Sequence, residues 1–262
     1  MPTKLVVSGV TGRMGQTLLR LLADHPHFEL IGGIARAPKA GPIRIETPES
    51  AGEMVRSADV IIDFSSVQAL RKLLTERAAD LAGKALVVGT TGVDIEVRRL
   101  LDDAARASAV LVAANFSVGV NVLLGLAEAA ARVLPPELYD VEIVEGHHRR
   151  KVDAPSGTAL ALGEMIARGR RISLEAVRKD GRSGHGAARS TGEIGFHSLR
   201  GGDIVGEHHV LFIGMRERIE LAHSAQDRAV FADGALHAAQ WLVAKPPGQY
   251  GMLDMLGLRS LP

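Results

Sequence analysis

The stretch KLVVSGVTGRMGQTLLRLL, Lys4 to Leu22, decides how the chain is read. Its first part is a short apolar run of β-formers, and its second part carries apolar residues at helical spacing. Between them stand Gly9, Gly12 and Gly15. A strand that turns so sharply into a helix needs glycine to bend, to let a pyrophosphate approach the backbone, and to let helix pack on strand. Unpaired N–H groups at the helix start then favour phosphate. The turn predicts a dinucleotide-binding βα unit, with a merely tight structural turn as the alternative.

Outward from this turn, short apolar runs alternate with helical patterns: FELIGGIAR, ADVIIDFSS, VQALRKLLTERAADL, ALVVGTTG, DIEVRRLLDDAARAS and VLVAANFS. Apolar strands alternating with helices are the sequence form of an α/β fold, a Rossmann-type doubly wound parallel sheet. After Ser117 the rhythm changes. A helical run, GVNVLLGLAEAAARVL, ends at Pro135-Pro136, YDVEIVEGHH reads as a strand, and a second helix opens near Ser156. The stretch from Arg168 to Ser190, rich in Gly, Arg and Ser, reads as a surface loop. EIGFHSLR, DIVGEHHVLFIG and RIELAHSA follow without helices between them, which predicts a more antiparallel sheet in a second, α+β domain. The last helical pattern, RAVFADGALHAAQWLVAK, is expected to return to the first domain. The predicted division is 1–118 plus 228–262 for the dinucleotide domain and 119–227 for the other.

Composition removes several functions. The 31 Lys and Arg balance the 30 Asp and Glu, so no global basic field draws nucleic acid or a membrane surface. Aromatics are only 3%, too few for base-stacking platforms. The absence of cysteine excludes disulfides and thiolate ligation, and leaves redox chemistry to a bound cofactor. No run approaches about 20 apolar residues, and MPTKLVVSG lacks a signal-peptide pattern. A cytoplasmic protein is the expectation.

The second strand ends in GGIARAP, where an acidic residue would hold the ribose 2′-OH of NAD. Ala35 and Arg36 stand there instead. An arginine without a carboxylate neighbour suits the 2′-phosphate of NADP; a solvated surface arginine is the plain alternative. DFSS, GTTG and AANFSVG close later strands, where ligands of such sheets bind.

The densest chemistry lies in EGHHRRKVDAPSGT, Glu145 to Thr158. His147 and His148 are adjacent, so on a strand they point to opposite faces, and no carboxylate pattern completes a ligand set; no metal is expected. The run Arg149, Arg150, Lys151 is short and lacks aromatics, which argues against nucleic acid. Ser156 is a good N-cap, and a helix opening at Gly157 and Thr158 presents N–H groups and partial positive charge. With Lys151 and one histidine this makes a receptor for carboxylates, and the other histidine or the lysine is left to give a proton. The residues point to a reductase of an anionic C=N or C=C substrate.

GVTGRMG, VIIDFSS, VVGTTG, AANFSVGVN, VEIVEGHHRRKVDAPSGTALALGE and GEIGFHSLRGGDIVGEHHVLF, in this order, resemble the dihydrodipicolinate reductase family, also called 4-hydroxy-tetrahydrodipicolinate reductases, over nearly the whole chain. The resemblance implies an NAD(P)H-dependent oxidoreductase of diaminopimelate and lysine biosynthesis. It further implies a small cyclic dicarboxylate as substrate, and a homotetramer whose second domain binds substrate and assembles the oligomer. By motif position His147 matches the family's proton donor or acceptor, and Lys151 its proton donor. His148, Gly157 and Thr158 fall on substrate positions, with Ser156 and Thr91 expected beside them. Gly9, Val10, Thr11, Gly12, Arg13 and Met14 fall on cofactor positions, as do Gly89, Thr90, Thr91, Ala113, Ala114, Asn115 and Phe116.

Two departures stand out against the resemblance. Many members carry Glu-Arg where this chain has Ala35-Arg36, so NADPH is expected to be preferred, with NADH possible. The segment APKAGPIRIETPES that follows leaves little material for an extra strand, and Ser66 stands where some members have arginine. A dinucleotide-binding sensor that has lost catalysis is the competing class; a sensor would be expected to lose His147 and Lys151, and both are present. The roles of Arg200, His223 and Arg228 stay open: a charge near the domain junction could bind substrate, and a surface ion pair is the expectation.

Overall fold

The computed structural model describes residues 1–39 and 41–259. The end of the expected dinucleotide domain, 260–262, lies outside the described residues. In chain order the elements begin β1 (Thr3–Ser8), α1 (Arg13–Leu22), β2 (Phe28–Ile34), β3 (Ile45–Glu46), α2 (Gly52–Ser57), β4 (Val60–Asp63), α3 (Val67–Glu76), α4 (Ala78–Leu81), β5 (Ala85–Val88), α5 (Ile95–Ala104) and β6 (Ala109–Val112). They continue with α6 (Val118–Val133), β7 (Asp140–His147), α7 (Gly157–Gly169), α8 (Leu174–Val177), β8 (Arg178–Asp180), β9 (Ile194–Arg200), β10 (Gly206–Ile213) and β11 (Arg218–Ala225). The last are α9 (Ala229–Leu242), β12 (Gly248–Tyr250) and α10 (Met252–Met255). The chain divides into two compact units, Met1–Val118 with Ala229–Leu256, and Gly119–Arg228 with the segment from Gly257.

The first unit is a seven-stranded sheet in the order β12-β6-β5-β4-β1-β2-β3, and every pairing is parallel. Side chains alternate between its faces. Leu5, Val7, Ile62, Val87 and Leu111 enter a core shared with α1 and α9, whereas Val6, Ile61, Leu86, Val88 and Val110 enter one shared with α2, α3 and α5. Burial on both faces is why these strands read as unbroken apolar runs. Each such side chain contributes about 1.5–3 kcal/mol by leaving water. The strand order reverses between β1 and β4, and ligands of open α/β sheets bind outside the strand ends at that point.

Short elements depart from the sequence expectation. The segment thought too short for an extra strand supplies β3, which pairs in parallel with β2 through Gly33–Ile45 and Ile34–Glu46. The edge strand β12 pairs with β6 through residues that carry no β-pattern of their own.

The second unit is a five-stranded sheet in the order β11-β10-β7-β9-β8. Its pairing is mixed rather than mainly antiparallel: β10 runs antiparallel to β7 and β11, but β9 is parallel to both β7 and β8. The reason is the connection after β7, which passes through α7 and α8 and so returns the chain in the same direction. The expected loop from Arg168 to Ser190 is correspondingly shorter, since its first part completes α7 and forms α8 and β8. Val141, Ile143, Val210 and Phe212 on one sheet face pack with Leu162 and Ile166 of α7 and Leu123 and Ala127 of α6. Among the described residues no helix is long and apolar enough to cross a membrane.

Candidate active site

At the reversal point of the first sheet a cavity of about 470 Å³ is lined by Gly9, Thr11 and Gly12 after β1, by Ala35 and Arg36 after β2, and by Phe64, Ser65 and Ser66 after β4. Glycine is required at the turn. Gly9 has φ +78°, and a Cβ there would lie 2.4 Å from the Phe64 carbonyl oxygen. A Cβ on Gly15 would lie 2.4 Å from the Gly9 carbonyl oxygen, so this glycine lets α1 pack on the turn. Gly12 is the N-cap of α1 and offers no side-chain hydrogen bond. The helix start is therefore bare and positive, and the cradle fits the phosphates of a dinucleotide.

Asp63 ties the surrounding strand ends together. It is fully buried and accepts hydrogen bonds from the hydroxyls of Ser8 on β1, Ser65 after β4 and Thr90 after β5. Burial pushes its carboxyl up, against the pull of those donors. Thr90 also accepts the Ser65 N–H at 3.0 Å. A Cβ on Gly89 would lie 2.1 Å from the Phe64 ring, so the loop after β5 closes directly on the segment after β4.

The second unit gathers its ionisable residues on one end of its sheet. Alternation on β7 puts Glu145 and His147 on the same face, and the register sets Ser198 and His208 beside Glu145 and Arg200 beside His147. Glu145 is buried, its side chain 1% exposed. Both its oxygens are engaged: Arg200 donates to Oε2 at 2.9 Å and to Oε1 at 2.8 Å, the Ser156 N–H donates to Oε1 at 3.1 Å, and His147 Nδ1 lies 2.6 Å from Oε2. Burial alone would raise this carboxyl, but the Arg200 fork and its other donors outweigh it and hold it at about 2.

A carboxylate so held fixes the imidazole. Nδ1 carries the hydrogen and donates it to Glu145, leaving Nε2 with its lone pair. Burial pushes His147 below the ordinary imidazole value, the charges of Lys151 and Arg200 push the same way, and only Glu145 opposes them. His147 is therefore neutral near pH 7. A Cβ on Gly206 would lie 3.3 Å from Nε2, and glycine there keeps that side of the ring open.

His208 packs edge-on against His147 with ring centroids 5.2 Å apart. Burial, reinforced by His147, drives it down to about 4. Its Nε2 meets the Ser156 hydroxyl at 3.3 Å, and that hydroxyl accepts the Ala159 N–H at 3.2 Å to cap α7. Lys151, on the turn after β7, pairs with Asp153 at 2.8 Å. Beyond the cap the helix start is open: a Cβ on Gly157 would meet nothing within 4 Å. Among the described residues no group of three or more His, Asp or Glu could hold a metal ion.

The expected site residues divide accordingly. His147, Lys151, Gly157 and Thr158 belong to this end of the second unit, and Gly9, Thr11, Gly12 and Arg36 line the nucleotide cavity. Others have different parts. Val10 and Phe116 are buried in the core, so only their backbone can face a ligand. Thr90 spends its hydroxyl on Asp63. Ser156 is buried with its N–H and hydroxyl both engaged, so it positions the helix start rather than offering itself. His148 lies past the end of β7 and lines a cavity with Arg150, Asp203, Val205 and Arg228; its Nδ1 is buried without a hydrogen-bond partner. Three residues without an expected site role join this cluster: Glu145, His208 and Arg200, and Arg200 clamps a buried carboxylate instead of forming the expected surface pair. Glu49 also lines the cavity at the reversal point.

The chain is similar to known proteins over nearly its whole length. The family described as dihydrodipicolinate reductase, N-terminus, matches residues 3–116, and that described as dihydrodipicolinate reductase, C-terminus, matches residues 119–256. The 4-hydroxy-tetrahydrodipicolinate reductase of Thiobacillus denitrificans is 44% identical over 270 residues, covering 99% of this chain and 100% of that protein. The reductase of the same name from Methylocella silvestris is 45% identical, covering 97% of each chain. Among solved structures, dipicolinate-bound dihydrodipicolinate reductase from Paenisporosarcina sp. TG-14 shares the fold at TM-score 0.73 and 24% identity, over 97% of this chain and 99% of that one. An engineered D-amino acid dehydrogenase bound to NADP+ matches at TM-score 0.59 and 14% identity, over 100% of this chain and 97% of the other. Matched from end to end by both halves of the family and by full-length relatives, the chain belongs to the dihydrodipicolinate reductase family.

Proposed function

We propose that this chain reduces 4-hydroxy-tetrahydrodipicolinate to tetrahydrodipicolinate with loss of water, a step of diaminopimelate and lysine biosynthesis, and that NADPH is its preferred reductant. The observation that carries the reading is the cluster in the second unit: a neutral histidine with a bare Nε2, an ammonium, and an open helix start. The names of the full-length relatives support it, and so does the planar cyclic dicarboxylate named with the Paenisporosarcina structure. In this reading the first unit holds the nucleotide and the second the substrate.

Gly9, Thr11 and Gly12 hold the phosphates of the dinucleotide, and Arg36 its 2′-phosphate. When bound, the reduced nicotinamide supplies a hydride. The protein supplies the rest. A substrate carboxylate sits on the first N–H groups of α7 at Gly157 and Thr158, where the helix dipole favours an anion. His147 Nε2 accepts the proton lost from the neighbouring ring carbon and passes it to the departing hydroxyl, which leaves as water, and Lys151 Nζ gives the one net proton that the ring takes up with the hydride.

Gly157→Asp tests the carboxylate seat. Its added side chain enters open space, and an acid in the first turn of a helix favours folding. It nevertheless places like charge where the dicarboxylate binds. Dipicolinate titrated onto the NADPH-loaded protein is expected to bind about 10²-fold more weakly than to wild type, with NADPH affinity unchanged. Undiminished dipicolinate binding would move the seat elsewhere.

A further inference from the structure

The nucleotide cavity carries an ion pair that the proposed reaction does not use. Three charged residues line it: Arg36, Glu49 and Lys72. Lys72 Nζ and Glu49 Oε1 lie 2.6 Å apart, whereas Arg36 makes no ion pair among the described residues. Glu49 sits in the turn between β3 and α2, which is fixed by hydrogen bonds from the Ser50 and Ala51 N–H groups to the Thr47 carbonyl and from the Thr47 N–H to the Ser50 hydroxyl. Lys72 stands on α3 four residues after Gln68, which also lines the cavity, so both project from one helix face. The pair thus spans the cavity mouth from two independent elements.

We propose that Glu49 and Lys72 set the nucleotide preference of this cavity: Glu49 accepts the ribose hydroxyls of NADH, and Lys72 joins Arg36 on the 2′-phosphate of NADPH after leaving Glu49. This rests on the reading of the cavity as the seat of the adenosine end of the dinucleotide. The chemistry of the groups supports it. A carboxylate is the usual acceptor for a ribose 2′-OH, and one supplied by the β3–α2 turn replaces the acid that Ala35 cannot provide. A 2′-phosphate carries more charge than Arg36 alone neutralises, and an ammonium is a good point-charge partner for it. The pair is open to water, with side chains 56% and 45% exposed, so it is weak enough to be exchanged for a phosphate. The cost falls on NADPH, because the carboxylate that Lys72 leaves behind stays beside the 2′-phosphate. The two nucleotides therefore use the same pair in opposite senses.

The test is direct titration of NADPH and of NADH, followed by their fluorescence, on wild type and on Glu49→Gln, Lys72→Met and Arg36→Ala. Both residues of the pair are exposed, so the variants keep the fold. Glu49→Gln is expected to tighten NADPH about 3–10-fold and to weaken NADH by a similar factor. Lys72→Met is expected to weaken NADPH about 10-fold with NADH little changed, and Lys72→Arg to restore NADPH. The proposal is overturned if Glu49→Gln moves both nucleotides in the same direction or neither, or if Lys72→Met leaves their ratio as in wild type. Arg36→Ala separates the two levels. If it alone lowers the preference for NADPH, the cavity reading stands and the pair has no part in selectivity. If none of the variants alters either affinity, the cavity is not the adenosine seat and both fall together.

Discussion

Replacing Lys151 by alanine is expected to lower kcat by about 10²–10⁴-fold, the usual contribution of a positioned general acid, with the Kd for NADPH unchanged. The expectation follows from the division of labour between the two candidates. His147 sits in a half-buried site beside Lys151 and Arg200, and its hydrogen is committed to Glu145, so near pH 7 it has no proton to give. Lys151 carries the proton and is tethered at the turn by Asp153. Lys151→Arg keeps a cation for Asp153 but loses the transferable proton, so it should restore folding and substrate affinity without restoring kcat. His147→Ala should also lower kcat, and the pH profile distinguishes its role. A group that must be neutral, and whose value in the folded protein lies below the ordinary 6.5, loses activity only as pH falls through that lowered value. The acid limb of kcat/KM should therefore lie below 6.5 and disappear in His147→Ala. Near-normal kcat in Lys151→Ala would remove it from the mechanism.

Glu145→Gln is expected to damage both turnover and stability, and the two losses can be separated. Without the carboxylate, Nδ1 of His147 is no longer fixed as the donor, Nε2 is free to carry the hydrogen instead, and kcat should fall about 10²-fold or more. Arg200 is left largely buried, 20% exposed, without its counter-charge. Removing one partner of such a pair costs about 3 kcal/mol, read as a fall in the midpoint of denaturant unfolding. Adding Arg200→Met should recover much of that stability and none of the turnover. The pH dependence has a definite sign. Glu145 is held at about 2 against an ordinary 4.5, so its contribution to stability is whole above pH 4.5 and is lost as pH falls toward 2. The variant should lack that part of the acid transition. Full activity in Glu145→Gln would mean that the imidazole is oriented by something else.

Much of this was legible in the chain because it is local. The glycine turn at Gly9, Gly12 and Gly15 joins a strand and a helix that are neighbours in sequence, and Ser156 marks a helix start that it caps. Apolar runs buried on both faces announce a parallel sheet wherever they occur. What escaped depends on register and on long-range pairing. Arg200 meets Glu145 only because β7 and β9 pair in parallel, and nothing in either stretch states which residues face each other. His208 reaches the cluster through the antiparallel pairing of β10 with β7. Glu49 enters the nucleotide cavity because the two-residue strand β3 extends the sheet, and two residues are too few to show a period. Neighbours in sequence can also part in space: His148 follows His147 but lines another cavity.

Catalytic reduction of a cyclic dicarboxylate is the activity on which every residue role above depends. Its most direct test is to add the purified protein to freshly generated 4-hydroxy-tetrahydrodipicolinate with NADPH or NADH, and to follow loss of the reduced nicotinamide and formation of tetrahydrodipicolinate. Nucleotide and substrate should be consumed mole for mole, faster with NADPH at equal low concentration, and consumption should nearly vanish in Lys151→Ala. Nucleotide binding without any substrate-dependent oxidation, by a folded protein with either nucleotide, would contradict it.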